Sequence, residues 1–185
     1  VNFTTMYLIV VGGLGFGVWF DLSQGSKSLI RRSHPFQYVV KHLKVHTKLA
    51  ITTTLCLIIG GALILFILEF NNPNTIQSFN FFDKIMASLF QSITTRTAGF
   101  ATLNMANMKV TSLLVMMLLM FIGGSPGGTA GGIKTTTFAI LLLMISSELS
   151  NRKEITVFKR KIEREQFRKA FVVAFMLLTT LVTGI

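Results

Sequence analysis

Residues 85–102 read IMASLFQSITTRTAGFAT. The first eleven carry no charge. As a helix they would reach about 16 Å, roughly half of a bilayer's hydrocarbon core. Asp83 stands just before them and favours a helix N-terminus. A helix that stops halfway and runs into a glycine-containing loop predicts a re-entrant segment. Non-helical backbone at that depth survives only against protein or water. Within the loop, Thr97-Ala98-Gly99-Phe100 suits a monovalent cation. Backbone carbonyls can replace its hydration shell without net charge, and glycine permits the angles that aim them. The string matches the potassium-channel filter T-V-G-Y in type, with Ala101 where a second glycine would stand.

Downstream, residues 110–147 are uncharged except for Lys134. One helix over that length would be about 57 Å, nearly twice the core thickness. Its middle, GGSPGGTAGGIKTTT (123–137), is too rich in glycine, with a proline, to stay helical. The expectation is a helix broken inside the membrane. Lys134, just beyond the break, would be costly in low dielectric unless paired or hydrated, or would snorkel to the interface.

Composition agrees with a membrane setting. The chain has 185 residues, 51% hydrophobic and 14% charged, against about 25% charged in soluble domains, and a mean hydropathy of +0.62. Seventeen phenylalanines exclude disorder, and the single cysteine, Cys56, excludes a disulfide scaffold. The net charge of +11 is concentrated in residues 23–48 and 147–169. Those blocks are separated by uncharged stretches of membrane length, the positive-inside pattern rather than a nucleic-acid surface. Residues 49–68, LAITTTLCLIIGGALILFIL, form a full span. Val1–Phe20 reads as another, entering the basic segment at Asp21. Asn71-Asn72-Pro73-Asn74 reads as an external turn. Residues 148–169 read as amphipathic, with Ile155, Phe158 and Ile162 at helical spacing. Residue 1 is not methionine and the last apolar run lacks a flank, so the expectation is an internal piece of a longer protein.

Other motifs carry no chemistry. In the glycine-rich string Ile133 separates Gly132 from Lys134, which spoils a phosphate loop. GGLGFG at 12–17 misses the dinucleotide pattern and reads as close helix packing through small residues. His42 and His46 stand four apart without a third ligand and among lysines, which suits a solvated basic face. No nucleophile, base and acid set is present, and no enzyme is expected.

QSITTRTAGF (91–100) together with FIGGSPGGTAGGIKTTT (121–137) closely resembles the Trk/Ktr/HKT potassium transporters, the membrane subunits of the bacterial Ktr type above all, over essentially the whole chain. The resemblance implies an all-α membrane protein built from tandem helix–pore loop–helix repeats. It has a re-entrant pore helix and a helix broken by a Gly-rich intramembrane loop. Residues 1–22 would be the last helix of the second repeat and 23–48 a cytoplasmic basic linker. Residues 49–148 would be the complete third repeat, with its outer helix, pore helix 84–95, filter 96–101 and an inner helix carrying gate loop 123–132. A cytoplasmic amphipathic stretch (149–169) and the start of the fourth repeat (170–185) would follow. Filter roles carry over to Thr97, Ala98 and Gly99, with Arg96 and Phe100 flanking. Arg96 would brace the loop against a carboxylate or carbonyl behind it. The gate carries over to Gly123, Gly124, Ser125, Pro126, Gly127, Gly128, Thr129, Ala130, Gly131 and Gly132, with Lys134 below. The resemblance further implies potassium as the transported ion, with sodium stimulation. It implies a homodimer in the lipid of the bacterial plasma membrane, a cytoplasmic nucleotide-binding regulatory ring of the KtrA type, and no nucleic acid. A broken-helix secondary transporter of another solute and a non-conducting assembly subunit remain the alternatives.

Overall fold

The structure is a computed structural model that describes residues 2–30, 38, 41–150, 156–157, 160–161 and 164–183. Its main helices are α1 (Asn2–Leu14), α2 (Phe16–Ile30), α3 (Val45–Glu69), α4 (Phe81–Thr94), α5 (Val110–Phe121), α6 (Thr135–Leu149) and α7 (Arg164–Thr183). A 3₁₀ turn, Met105–Asn107, precedes α5.

α3 has 25 residues, a length of about 37 Å. Its apolar residues lie all round the helix, its mean hydropathy is 2.5 over the best window, and only 28% of that window is buried. A soluble core helix of this hydropathy would hide most of its surface; α3 shows lipid-like sides instead. α4, with 14 residues, packs back along it in the most extensive helix contact among the described residues. Met6 of α1, Ile58 of α3, and Phe90 and Ile93 of α4 form the central buried cluster. Leu65, Met108 and Met116 close one end. Leu49 and Ala139 join α3 to α6 at the other.

α5 and α6 have 12 and 15 residues. Neither reaches across a bilayer alone, and the segment between them is non-helical.

Two expectations change. Val1–Phe20 is not one straight span: α1 and α2 meet at Gly15 with a 96° bend. Gly15 sits at φ +79, a left-handed conformation that stops a helix and that glycine adopts without a Cβ penalty. In 149–169, Thr156–Val157 pairs antiparallel with Arg160–Lys161, so helical spacing misread β-branched Thr156 and Val157. Ile155, Phe158 and Ile162, which carried that reading, lie outside the described residues. α7 begins at Arg164, ahead of the uncharged run, and packs on α6.

Candidate functional site

α4 leaves its helix through a tight turn. The amide of Arg96 donates to the Ile93 carbonyl at 3.1 Å and that of Ala98 to the Thr94 carbonyl at 3.1 Å. The Thr94 hydroxyl donates to the Phe100 carbonyl at 2.5 Å, so the last helical residue clasps the far end of the loop. Thr97 has φ +62 and Gly99 φ +76. A β-branched residue in that region costs about 1–2 kcal/mol, and persists only where its surroundings hold it. A Cβ at Gly99 would meet nothing within 4 Å; glycine there answers the backbone angle, not crowding. Residues 97, 99 and 100 are exposed and Ala98 half-buried, whereas the whole stretch 90–96 is buried. The loop therefore offers main chain on an open face, backed by a packed wall.

That wall has a regular register. Ser92 Oγ donates to the Ile58 carbonyl at 2.9 Å. One turn further, just past the end of α4, Arg96 Nη2 donates to the Thr54 carbonyl at 3.0 Å, with Nη1 3.4 Å from the Thr54 hydroxyl. Positions 92 and 96 thus meet 58 and 54, as antiparallel helices require. Arg96 is buried, and its guanidinium points into α3, away from the open face. Gln91, also buried, has Nε2 near the sulfurs of Met105 and Met116 at 3.5 and 3.6 Å; its Oε1 has no hydrogen-bond partner among the described residues.

The segment between α5 and α6 is closed at its neck and docked at its tip. Ile122 and Ile133 form a parallel bridge. The Gly123 amide donates to the Ile133 carbonyl at 2.9 Å and that of Ile133 to the Phe121 carbonyl at 3.0 Å. A Cβ on Gly123 would lie 1.6 Å from the Gly131 carbonyl oxygen, so only glycine fits the neck. Ser125 and Thr135, both fully buried, join their hydroxyls at 3.0 Å. Outward, the Ser125 amide donates to Gly13 at 2.8 Å, that of Thr129 to Gly12 at 3.3 Å, and that of Phe16 to Gly127 at 3.3 Å. The GGLGFG string is therefore the seat of the second glycine-rich segment. Sequence reading took it for helix packing through small residues; its four glycines in six residues were the signal the sequence offered.

One contact joins the two loops, and a second sits on the same peptide group. Lys134 Nζ donates to the Ala130 carbonyl at 2.7 Å. The Gly131 amide donates to the Thr97 hydroxyl at 3.1 Å, linking the two loops directly.

At the far end of α3, Glu69 is buried and was not singled out in the sequence. Its carboxylate accepts from Asn72 Nδ2 at 2.6 Å, Thr75 Oγ1 at 2.7 Å, the Lys109 amide at 3.0 Å and the Ser112 hydroxyl. Ringed by donors, it has no free edge for a cation; it fastens the α3–α4 connection to the start of α5. Among the described residues no cluster of His, Cys, Asp or Glu could hold a metal ion.

Known proteins match this chain along its whole length. A family model described as TrkH, a cation transport protein, matches residues 1–185. Ktr system potassium uptake protein B of Bacillus subtilis is 37% identical over 185 residues, covering 100% of this chain and 39% of its own. Potassium/sodium uptake protein NtpJ of Enterococcus hirae is 34% identical over 108 residues, 58% of this chain and 21% of its own. The crystal structure of the potassium transporter TrkH from Vibrio parahaemolyticus superposes with a TM-score of 0.70 at 21% identity, over 100% of this chain and 39% of that one. At that identity the likeness speaks to fold. The chain spans about two-fifths of the length of the first of these relatives.

Proposed function

The chain belongs to the TrkH family of cation transport proteins, and from that footing we propose that it supplies one wall of a potassium-conducting pore. Proteins of this family are multi-pass plasma-membrane transporters of bacteria, not enzymes. Residues 49–148 serve as one helix–pore loop–helix repeat, the third of four. Residues 1–22 end the repeat before it, and 170–185 begin the one after. The basic segment 23–48 and the stretch 149–169 face the cytoplasm.

In this reading the carbonyls of Thr97, Ala98 and Gly99 coordinate the dehydrated ion. Gly99 supplies the left-handed angle, and Arg96 and Thr94 hold the loop from behind. Gly123–Gly132 is the gate across the path. Lys134 places a positive charge beside it, which repels a cation in low dielectric. The membrane potential drives entry at about 2.3 kcal/mol per charge per 100 mV. Potassium as the ion, with sodium as co-ion or activator, follows the names of the relatives. A homodimer and a cytoplasmic nucleotide-binding ring fit a multi-component Ktr system, with the basic face as its docking side.

The supporting observation is the open loop 97–100, held at the buried C-terminal end of a helix too short to cross a bilayer and touched by the glycine-rich segment. Rubidium uptake by the full-length protein in a potassium-transport-deficient strain tests it. Uptake should be restored, and lost with Gly99→Val. Restoration undiminished by Gly99→Val would remove the filter from residues 97–99. Uptake of an organic solute in place of rubidium would favour a broken-helix secondary transporter.

A further inference from the structure

The carbonyl of Ala130 and the amide N–H of Gly131 are two ends of one peptide group. The carbonyl accepts from Lys134 Nζ at 2.7 Å, and the amide donates to Thr97 Oγ1 at 3.1 Å. A trans peptide is planar, with C=O and N–H on opposite edges. Lys134 and Thr97 therefore grip opposite sides of the same rigid plate. Turning that plate breaks both contacts together.

We propose that this peptide makes Lys134 a positioning residue for Thr97, so that the segment closing the pore also sets its ion preference. The proposal rests on the reading of 96–101 as filter and 123–132 as gate.

Three observations carry it. Lys134 occupies the N-cap position of α6 and its side chain caps nothing there. A cation at a helix N-terminus opposes the macrodipole, so its place is explained by the Ala130 carbonyl. A charge-assisted bond is the stronger kind, and it polarises the amide, which strengthens the donation to Thr97. Thr97, in turn, holds φ +62, a conformation that needs external support. The Gly131 amide is the support that reaches its side chain from outside its own loop. Without it, Thr97 relaxes toward negative φ, and its carbonyl turns with the backbone. Ion discrimination then changes although no filter residue has been replaced.

The test measures rubidium and sodium uptake by the full-length protein in the transport-deficient strain, with membrane abundance read by immunoblot. Lys134→Met and Thr97→Val should each lower the rubidium-to-sodium ratio by about tenfold. The double variant should go no lower than the singles, because both cut one link. Lys134→Arg, which keeps a charged donor, should restore most of the ratio. If Lys134→Met does not reach the membrane, Lys134→Gln, shorter and uncharged, takes its place. Raised flux at an unchanged ratio would overturn the link and leave the gate standing. A collapsed ratio at unchanged flux would support the link and remove the gate. Additive loss in the double variant would also overturn the link.

Discussion

Arg96 and Thr54 meet across the α3–α4 hairpin, the guanidinium donating to the Thr54 carbonyl at 3.0 Å with the hydroxyl 3.4 Å away. An arginine inside a cation path would repel its cargo. Turned backward, it spends its charge on a helix carbonyl and fixes the residue next to Thr97. Losing a buried bond to a charged donor costs about 1.5–3 kcal/mol, here concentrated on a strained loop. Arg96→Gln should cut rubidium uptake at least about tenfold while the protein still inserts. Native uptake and native ion preference in that variant would refute the bracing role.

Gly123→Ala addresses the neck of the glycine-rich segment. The added methyl would stand 1.6 Å from the Gly131 carbonyl oxygen, which is backbone and cannot rotate away. Forced expansion of a tight contact costs about 1–3 kcal/mol or more. If the segment is the gate, it can no longer close, and resting uptake should rise several-fold. Uptake held at the native level would separate loop closure from conduction.

Glu69→Gln should lower stability rather than change transport. The substitution replaces one of the two accepting oxygens with an NH2, which then faces the donors of either Asn72 and Thr75 or Lys109 and Ser112. A loss of about 1.5–3 kcal/mol is expected. Thermal unfolding of the detergent-solubilised full-length protein reads it as a lower midpoint. The rubidium-to-sodium ratio should remain native, since Glu69 lies in a connection away from residues 97–100. An unchanged midpoint would mean the carboxylate is not what joins α3 to α5.

What could be read from the sequence was whatever physics writes locally. The short uncharged run before Thr97 and the glycine cluster at 123–132 declare themselves by length and propensity. The partner of Arg96 does not. Thr54 lies 42 positions earlier inside an apolar run, where a threonine is unremarkable. Gly15 is similar: its left-handed angle is needed because a loop more than a hundred residues later rests on it. Glu69 stands just past the apolar run 49–68 with no local motif around it, and only folding brings four donors to it. At 155–162 the apolar spacing pointed to a helix, and the two β-branched residues at 156 and 157 were the competing signal.

The seat at Gly15 gives the last prediction. A Cβ there would come 2.5 Å from the Pro126 carbonyl oxygen and 2.9 Å from the Gly128 nitrogen, at φ +79. Gly15→Ala therefore strains its own backbone and pushes the segment from its seat. The three backbone bonds to residues 12, 13 and 16 would loosen with it. If those bonds hold the gate shut, resting rubidium uptake should rise. Deleting residues 126–131 should raise it as well, and adding Gly15→Ala to the deletion should give no further increase, since the part it displaces is gone. A rise from Gly15→Ala that persists in full on the deleted background would show that the bend acts through α2 instead of through the segment it supports.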